Sequence, residues 1–436
     1  MRLDKHPILR ENPRHVKGFV GEFQNRSNFM VGEVGIKRLL ILGTALLLVA
    51  LSVPATAVEW NFYGSARFAT WYQSGKAAGL YIENDNGSLE RDSELVWNLA
   101  ANSRIGANVR FKHISARFEY GRDPNLRHLY AKWKPHGEKG LELLVGQTFT
   151  PISDIFYSDQ VYFADENFLA EGLFYSSRKP LIQLIYKGFE LAFIKVTGDN
   201  DKGFLYPNPD GVFEAVGGTG DRADVDVLFP KIEAVYHYDG NQFFFDVYGG
   251  YQTFGIKDPN GGGSGINIQS YAVGGGGGVT LGPAYLRAQA NYGQNWGDYD
   301  TYSHDLKFWG IPATRGPVPA LASQASKSVL TLNTDAAGNP SYNTEDTTSF
   351  GVIGVLGYKL NDMFNFEGGV AYLQHDNDFF INDAKVTTYY LNSTVTLAKG
   401  VFVVPEFGYF DLHDRLDENR SADDFWYAGA KWQINF

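Results

Sequence analysis

The chain ends in a segment in which apolar and polar residues alternate. From Trp426 to Phe436, one parity is apolar, and the other carries mostly small or polar residues such as Lys431 and Gln433. Successive side chains of a β-strand point to opposite faces, so this pattern predicts a strand with one apolar and one polar face. The same period recurs over 95–111 and 114–120 and throughout the chain after residue 58, with no helical pattern of comparable strength.

Short turns and long loops alternate between the predicted strands. Five dipeptides each separate two alternating runs and fit tight hairpin turns: Lys187-Gly188, Asp239-Gly240, Gly282-Pro283, Asn361-Asp362 and Lys399-Gly400. Longer stretches rich in Gly and Asp lie between these hairpins, and the longest covers 298–346. Turns at one end and loops at the other are typical of an antiparallel barrel.

The number of strands depends on how residues 171–187 are interpreted. Two strands, 171–178 and 180–187, would give 17 in total and would place the Lys187-Gly188 turn at the wrong end. One long strand through Pro180 gives 16, and both termini then lie at the turn end. An even number is expected. We predict an all-β, transmembrane, antiparallel up-and-down barrel of about 16 strands, with 14 or 18 as alternatives.

Residues 1–57 have a different character. The apolar run 39–53 follows Lys37 and Arg38 and precedes a Pro-Ala-Thr-Ala sequence, which is the order of a secretory signal. A membrane-spanning helix needs about 20 residues, and this run is shorter. We expect an N-terminal extension and cleaved signal over 1–57, with Met30 as a better start than Met1, and one barrel domain over 58–436. An uncleaved anchor is the alternative.

Composition narrows the class of protein. Aromatic residues make up 15% of the chain, there are 49 glycines, and the hydrophobic fraction is only 44%, which excludes a bundle of membrane helices. No cysteine is present, so disulfides, thiolate catalysis and cysteine-bound metals are excluded. Removal of 1–57 subtracts 8 basic and 4 acidic residues, and the net charge changes from −11 to −15. Nucleic acid is therefore not an expected partner.

Both ends of the predicted barrel resemble those of general diffusion porins. The segments that carry this resemblance are the opening strand 60–67 and the closing strand 425–436, and the segments 102–106 and 144–148 look like the DcaP-like group of 16-stranded porins. The resemblance implies a homotrimer in the outer membrane of a Gram-negative bacterium, among outer-membrane lipids and lipopolysaccharide. It also implies that the barrel-assembly machinery reads the terminal Phe436, and it suggests small carboxylates as solutes.

The resemblance also assigns a role to the segment after the fifth strand. In general porins the loop at this place folds inward and narrows the lumen. Here it runs from Thr150 to Asp159 and continues through 165–166, with aromatic residues that could pack it against the wall. The implied constriction carries four acidic residues: Asp154, Asp159, Asp165 and Glu166.

Several cations have the parity that faces the lumen. Selectivity in a porin depends on lumen width and on fixed charges that face each other, and Arg recognises carboxylates in bidentate fashion. We therefore predict a basic wall opposite the acidic loop, favouring small anionic or zwitterionic solutes: Arg67, Arg104, Arg110, Arg117, Lys132 and Arg287. The alternative is that these cations only pair with carboxylates of the interior: Glu119, Glu233, Glu367 and Glu406.

Two further features leave alternatives open. The glycine run 274–278 within a strand indicates either room for the inward loop or curvature of the wall. Most aromatic residues, including Trp97, Trp133, Phe149, Trp426 and Trp432, fit girdles at the membrane interfaces. A ladder for sugar binding would use aromatic residues of lumen parity, and Tyr248, Tyr285 and Tyr390 are the scattered candidates.

We therefore expect an outer-membrane porin for passive diffusion of small hydrophilic solutes and ions, without a cofactor. His237, His304, His375 and His413 lack metal-ligand spacing, and nucleophile or phosphate-binding motifs are missing from the sequence. One alternative is a lipid hydrolase embedded in a barrel, which would need an activated Ser–His pair on the lipid side. A non-conducting adhesin or anchor barrel is the other.

Overall fold

The architecture comes from a computed structural model, which describes the chain from residue 58 onward with gaps. The described residues are 58–75, 81–83, 89–91, 93–123, 125–137, 140–165, 167–168, 171–196, 204–207, 213–216, 225–256, 266–300, 326–334, 340–379, 382–413 and 424–436. The predicted extension and signal over 1–57 lie outside them.

The described chain is built almost entirely of strands. They are β1 (Glu59–Gly75), β2 (Tyr81–Glu83), β3 (Leu89–Arg91), β4 (Ser93–Leu99), β5 (Arg104–Phe111), β6 (Ile114–Gly121), β7 (Leu126–Trp133), β8 (Glu142–Thr148), β9 (Lys179–Tyr186), β10 (Phe189–Ile194), β11 (Phe204–Pro207), β12 (Phe213–Val216), β13 (Val225–Asp226), β14 (Lys231–Asp239), β15 (Phe243–Ile256), β16 (Ile266–Leu281), β17 (Ala284–Gln294), β18 (Val329–Thr334), β19 (Pro340–Glu345), β20 (Thr348–Lys359), β21 (Phe364–Asp376), β22 (Ala384–Ala398), β23 (Val401–Leu412) and β24 (Phe425–Asn435).

Sixteen antiparallel wall strands form one closed barrel, as the sequence predicts. β4 and β5 are two halves of a single wall strand because both pair with β1, and β13 and β14 are likewise halves of another because both pair with β15. The barrel closes where β24 pairs with β1. The last residue completes this seam, since Phe436 and Gly64 exchange two backbone hydrogen bonds. Full closure leaves no wall strand with an unpaired edge.

Seven short connections and the C-terminus lie at one end of the barrel, which we call the turn end. Backbone bonds link turns to the neighbouring strands there, including His237 N of β14 to Gly188 O and Asn435 N of β24 to Gly400 O. Lys187 and Gly188 both have positive φ, which is the geometry of a two-residue hairpin with the twist of its strands. The opposite end carries the long loops, which include a four-stranded sheet of β11, β12, β18 and β19 and the hairpin β2–β3.

The expected strand through Pro180 is only partly present. β9 begins at Lys179, and residues 171–178 instead lie inside the barrel, where the Phe174 ring packs against Trp296 and Tyr299. The strand count of 16 is unaffected because 171–178 adds no wall strand. Proline lacks the amide hydrogen of a ladder, so Pro180 stands near the start of its strand.

Outward and inward faces follow the predicted alternation. Large apolar residues cover the outside, for example Leu95 with 64% and Trp97 with 69% of the side chain exposed. On β1, Arg67 and Trp71 lie on the inner face and are buried. The lumen therefore holds polar and aromatic side chains, while the outer surface is an apolar band.

The seam between β1 and β24 tolerates no side chain at Gly429. A Cβ atom there would lie 2.1 Å from the carbonyl oxygen of Thr70, whereas a Cβ at Gly354 meets nothing closer than 3.9 Å. We expect Gly429→Ala to destabilise the barrel by about 1–3 kcal/mol because the backbone must shift. Gly354→Ala is the matched control. The measurement is the midpoint of urea unfolding of the refolded barrel, and equal midpoints for the two variants would contradict the prediction.

Candidate functional site

The segment between β8 and β9 folds into the barrel, as the sequence predicts for the loop after the fifth wall strand. It enters at Phe149, forms a 3-10 turn at Ile152–Asp154 and a short helix α1 at Tyr162–Asp165, and returns to the wall at Arg178. We call residues 149–178 the inward loop. Of its predicted acidic residues, Glu166 lies outside the described residues.

Three buried glutamates on the wall hold the backbone of the inward loop. Glu233 accepts a hydrogen bond from Ile152 N at 3.2 Å, and Glu367 accepts one from Asp159 N at 2.6 Å. Glu406 accepts two, from Val161 N at 2.8 Å and from Tyr162 N at 2.9 Å. Buried amides need acceptors, and a loop without a neighbouring strand has no ladder to supply them.

These glutamates were predicted as possible partners of the lumen arginines. The structure gives Glu367 both roles, since Arg287 lies 3.8 Å from it, whereas the described contacts of Glu406 are with the loop, Asn392 and Tyr427. Glu233 pairs with Lys231 at 3.3 Å. The polar parity of their strands indicated that they face the lumen. Their role in holding the loop depends on where the loop lies, which the pattern does not contain.

Side chains of the loop reach the same wall. The Tyr157 hydroxyl donates to Asp246 at 2.5 Å, and Tyr162 donates to Gln73 at 2.6 Å. Burial, followed by the hydrogen bond to Asp246, raises the pKa of Tyr157, so this phenol stays a donor. A Cβ at Gly276 would lie 2.7 Å from the Tyr157 ring. This contact supports the first interpretation of the glycine run, in which its missing side chains leave room for the loop.

The tyrosines proposed for a sugar ladder are occupied by other contacts. Tyr390 accepts a hydrogen bond from Ser158 at 2.9 Å, Tyr285 donates to Glu367 at 2.6 Å, and Tyr248 bonds Asn291. These three tyrosines take part in the packing of the barrel interior, and their hydroxyl groups already form hydrogen bonds with other side chains.

Asp165 ties the loop to the seam of the barrel. Its carboxylate contacts Arg67 of β1 and lies 2.7 Å from Lys431 of β24. Burial by itself would raise the pKa of Asp165, but the charges of Lys431 and Arg67 outweigh it and hold the pKa below its usual value. Arg67 is thus engaged in holding the loop. A polar pocket of about 480 Å³ opens beside this tether, lined among others by Asp159, Asn365 and Gln433.

A cluster of arginines lies on β5, β6 and β7, and β5 is paired with β1. Glu119 lies at its centre, 2.6 Å from both Arg117 and Arg127 and 3.9 Å from Arg104. Tyr63 also donates to Glu119, at 2.8 Å. We call Arg104, Arg117 and Arg127 the arginine cluster. Three cations around one carboxylate leave this wall with an excess of positive charge.

Arg127 was missed because its parity is wrong for a regular strand. A β-bulge in β7 shifts the register between Glu119 and Tyr120, so Arg127 and His128 are consecutive and both buried. A bulge places two residues opposite one and redirects a side chain. The signal in the sequence is an arginine at a position of apolar parity. Lys431, by contrast, has the polar parity of the closing strand and could have been predicted.

The remaining predicted cations lie apart from this cluster. Lys132 pairs with Glu142 at 2.8 Å, and Arg110 is exposed close to the turn end. Arg287 lies beneath the inward loop, 3.5 Å from Asp159. The six cations predicted to form one basic wall are therefore spread over several parts of the barrel. Of these six, the structure brings Arg104 and Arg117 together around Glu119.

Asp154 and Asp159 are the exposed carboxylates of the inward loop. Among the described residues, no ion pair or hydrogen bond engages the Asp154 side chain, although the charges of Arg178, Arg117 and Lys132 act on it. Arg178 stacks over the Phe149 ring at 4.0 Å. The expectation that Phe149 belongs to an interfacial girdle does not match this position, since its ring packs inside with Phe156 and Tyr175.

A second segment enters the barrel at the loop end, and the alternation of polar and apolar residues does not predict it. Within residues 295–300, Tyr299 is fully buried and donates to Glu233 at 3.1 Å, and Lys231 reaches its carbonyl oxygen at 3.3 Å. The inward loop and this segment both contact the wall at Glu233 of β14. The inward loop also reaches the side of the arginine cluster, where Arg178 donates to His128 of β7 at 3.2 Å.

The described part of the chain contains neither a metal site nor a membrane-spanning helix. No group of three or more His, Asp or Glu side chains there has the arrangement of a metal site. None of the helices described is long and apolar enough to cross a membrane.

Solved structures give the clearest comparison. The outer membrane channel DcaP of Acinetobacter baumannii matches with a TM-score of 0.55 at 15% identity, over 87% of this chain and 99% of that one. The chain resembles outer-membrane porins. The outer-membrane expressed OmpT of Vibrio cholerae matches with a TM-score of 0.50 at 13% identity, over 87% and 99% of the two chains. No protein-family model matches the sequence, and no curated protein sequence matches it. At these identities the likeness is one of fold.

Removal of the Glu406 carboxylate should release the inward loop. In Glu406→Ala, the amides of Val161 and Tyr162 lose their acceptor, and each buried amide left unpaired costs about 1–3 kcal/mol. We expect at least roughly ten-fold faster hydrogen exchange at these amides. Glu142→Ala, which removes a wall glutamate that pairs with lysines at 2.8 and 3.2 Å, is the control. Unchanged exchange in Glu406→Ala would show that other contacts hold the loop.

The Asp165 tether should weaken in acid. Its pKa is lowered in the folded state, so the contribution to stability is present above about 3.9, the usual pKa of free Asp, and is lost as the pH falls through the lowered value. We expect Asp165→Asn to lower the thermal unfolding midpoint near neutral pH. The difference from the wild-type chain should shrink towards zero in strong acid. A difference that stays constant down to about pH 1 would contradict this assignment.

Proposed function

We propose that the protein is a channel in the outer membrane of a Gram-negative bacterium, through which small hydrophilic solutes and ions diffuse passively. The observation that carries the proposal is a closed 16-strand barrel whose outer face is apolar and whose inner face is charged, crossed by the inward loop. A barrel without edges satisfies every backbone group of the wall, which a lipid environment requires. The turn end would face the periplasm and the long loops the outside.

The finer part of the proposal concerns selectivity. Solutes would pass between the inward loop, with Asp154 and Asp159 exposed, and the arginine cluster. Arg104 is the member of the cluster with the weakest pairing, because its contact with Glu119 is 3.9 Å, against 2.6 Å for Arg117 and Arg127. A guanidinium with donors to spare binds carboxylates well. Small anions and zwitterions, including small carboxylates, are therefore the proposed solutes.

We also propose that the protein forms a homotrimer, because its terminal strands resemble those of porins. Outer-membrane lipids, lipopolysaccharide and the barrel-assembly machinery are the partners that this placement entails. The Phe436 ring lies over Gly64, where a Cβ atom would come within 2.3 Å of it, and this contact supports a structural reason for an aromatic residue at the end of the closing strand.

The alternative functions find less support. Ser349 and His375 form a Ser–His pair at 2.8 Å, but both are buried on the inner side and Ser349 has no exposed surface. Among the described residues no carboxylate contacts His375, so the pair lacks the third group of a hydrolytic triad. A non-conducting anchor would need a lumen filled with apolar side chains, whereas the described lumen carries charges and a polar pocket of about 480 Å³.

Planar-bilayer recording tests the channel and its selectivity together. For the purified barrel we expect stepwise conductance in threes and an anion preference in the reversal potential across a KCl gradient. Arg104→Gln should lower the ratio of anion to cation permeability by up to about five-fold, since a unit charge at 4 Å in water is worth roughly 1 kcal/mol. Lys359→Gln, at a turn, is the control, because Lys359 already pairs with Asp362 at 2.9 Å.

Three outcomes would count against parts of this proposal. Cation preference would keep the channel and move selectivity to Asp154 and Asp159. An unchanged reversal potential in Arg104→Gln would remove the arginine cluster from the selectivity element. No conductance from a correctly folded barrel would reject the channel itself.

A further inference from the structure

Turns that carry lysine are grouped on one side of the turn end. Around the wall, four consecutive turns carry lysine: Lys399 between β22 and β23, Lys112 between β5 and β6, Lys134 between β7 and β8, and Lys187 between β9 and β10. The seam formed by β24 and β1 lies between the first two of them. We call these four turns the basic arc.

The other three turns carry no net positive charge. They are 240–242 (Gly-Asn-Gln), 282–283 (Gly-Pro) and 360–363 (Leu-Asn-Asp-Met), and Lys359 at the last of them pairs with Asp362 at 2.9 Å. Lysine is therefore found in the turns on one side of the barrel and is not a general feature of its turns.

The lysines of the basic arc are available for a partner. Lys112, Lys187 and Lys399 are exposed, and none of them forms an ion pair with a described residue. Lys134 is the exception, since it lies 3.2 Å from Glu142. Arg110, two residues before Lys112, adds a further exposed cation.

Two of these lysines lie next to aromatic rings, which indicates their depth relative to the membrane. The Lys187 ammonium lies 5.0 Å from the centre of the Tyr186 ring, and Lys112 lies 5.3 Å from that of Phe111. Tyr186 and Trp133 are exposed on the outer face at this end, as interfacial aromatic residues of a barrel are. Lysines just beyond an aromatic girdle stand at the depth of lipid phosphate groups.

We propose that the basic arc binds the headgroups of anionic phospholipids in the membrane leaflet next to the turn end. The partner is identified by charge complementarity and by position, because unpaired ammonium groups border a lipid-facing aromatic band. The inference rests on the proposed placement of the barrel in a membrane but not on its conducting solutes.

Lipid selectivity in vesicles tests the proposal. The barrel is reconstituted into mixtures of phosphatidylglycerol and phosphatidylcholine, and quenching of tryptophan fluorescence by either lipid in brominated form reports which one surrounds it. We expect a preference for phosphatidylglycerol that falls in Lys112→Gln/Lys187→Gln/Lys399→Gln by roughly five-fold per lysine. The preference should also weaken at high NaCl concentration. Lys359→Gln should retain the wild-type preference.

Several results would overturn the inference. Equal quenching by the two lipids for the wild-type barrel would do so, and so would a preference that the triple variant retains in full. Another anionic partner at this end is the cell-wall polymer. If the triple variant lost co-sedimentation with peptidoglycan sacculi while keeping its lipid preference, the arc would be a peptidoglycan surface. Conductance in the same vesicles is a separate readout, so failure of the channel proposal would be visible independently.

Discussion

The arrangement of the lumen depends on how a loop without a strand partner satisfies its backbone. Amides of the inward loop at Ile152, Asp159, Val161 and Tyr162 have no strand partner, and three wall glutamates accept their hydrogen bonds. Carboxyl groups are suited to this task because each has two oxygens that can accept hydrogen bonds, and Glu406 uses both. The loop is thereby held along the wall from β14 to β23, and Asp165 ties it to the seam of β24 and β1.

This arrangement divides the charges of the lumen by their task. The carboxyl groups of Glu233, Glu367 and Glu406 hold the loop. At the seam, Arg67 and Lys431 neutralise Asp165. On β5, β6 and β7, three arginines surround the single carboxylate of Glu119, so this part of the wall keeps an excess of positive charge. The net charge of the whole chain is negative, yet charge in exposed loops is screened within about 8–10 Å in physiological salt. Local geometry, and not the overall sum, therefore decides what a solute in the proposed channel would meet.

Glycine has a clear packing role at the points where loop and wall approach most closely. Gly276 faces the Tyr157 ring, and Gly250 leaves space for the hydroxyl of Tyr299. Both positions lie in strands, where glycine usually weakens pairing. The loss is offset because two large aromatic residues can then be buried against the wall. The second inward segment at 295–300 depends on the same device, and its Trp296 and Tyr299 pack against Phe174 of the inward loop.

The sequence by itself determined the wall of this protein. A strand has a period of two, so alternation predicted the barrel, its turns, the inward position of Arg104 and Arg117 and the outward position of Trp97, and closure required an even strand number. Only the tertiary structure decided what happens inside. The bulge at Arg127, the entry of 171–178 and the use of Glu406 as a double acceptor depend on contacts between residues far apart in the chain. A local pattern reports which face a side chain takes, but it carries no information about which distant segment will fill that face.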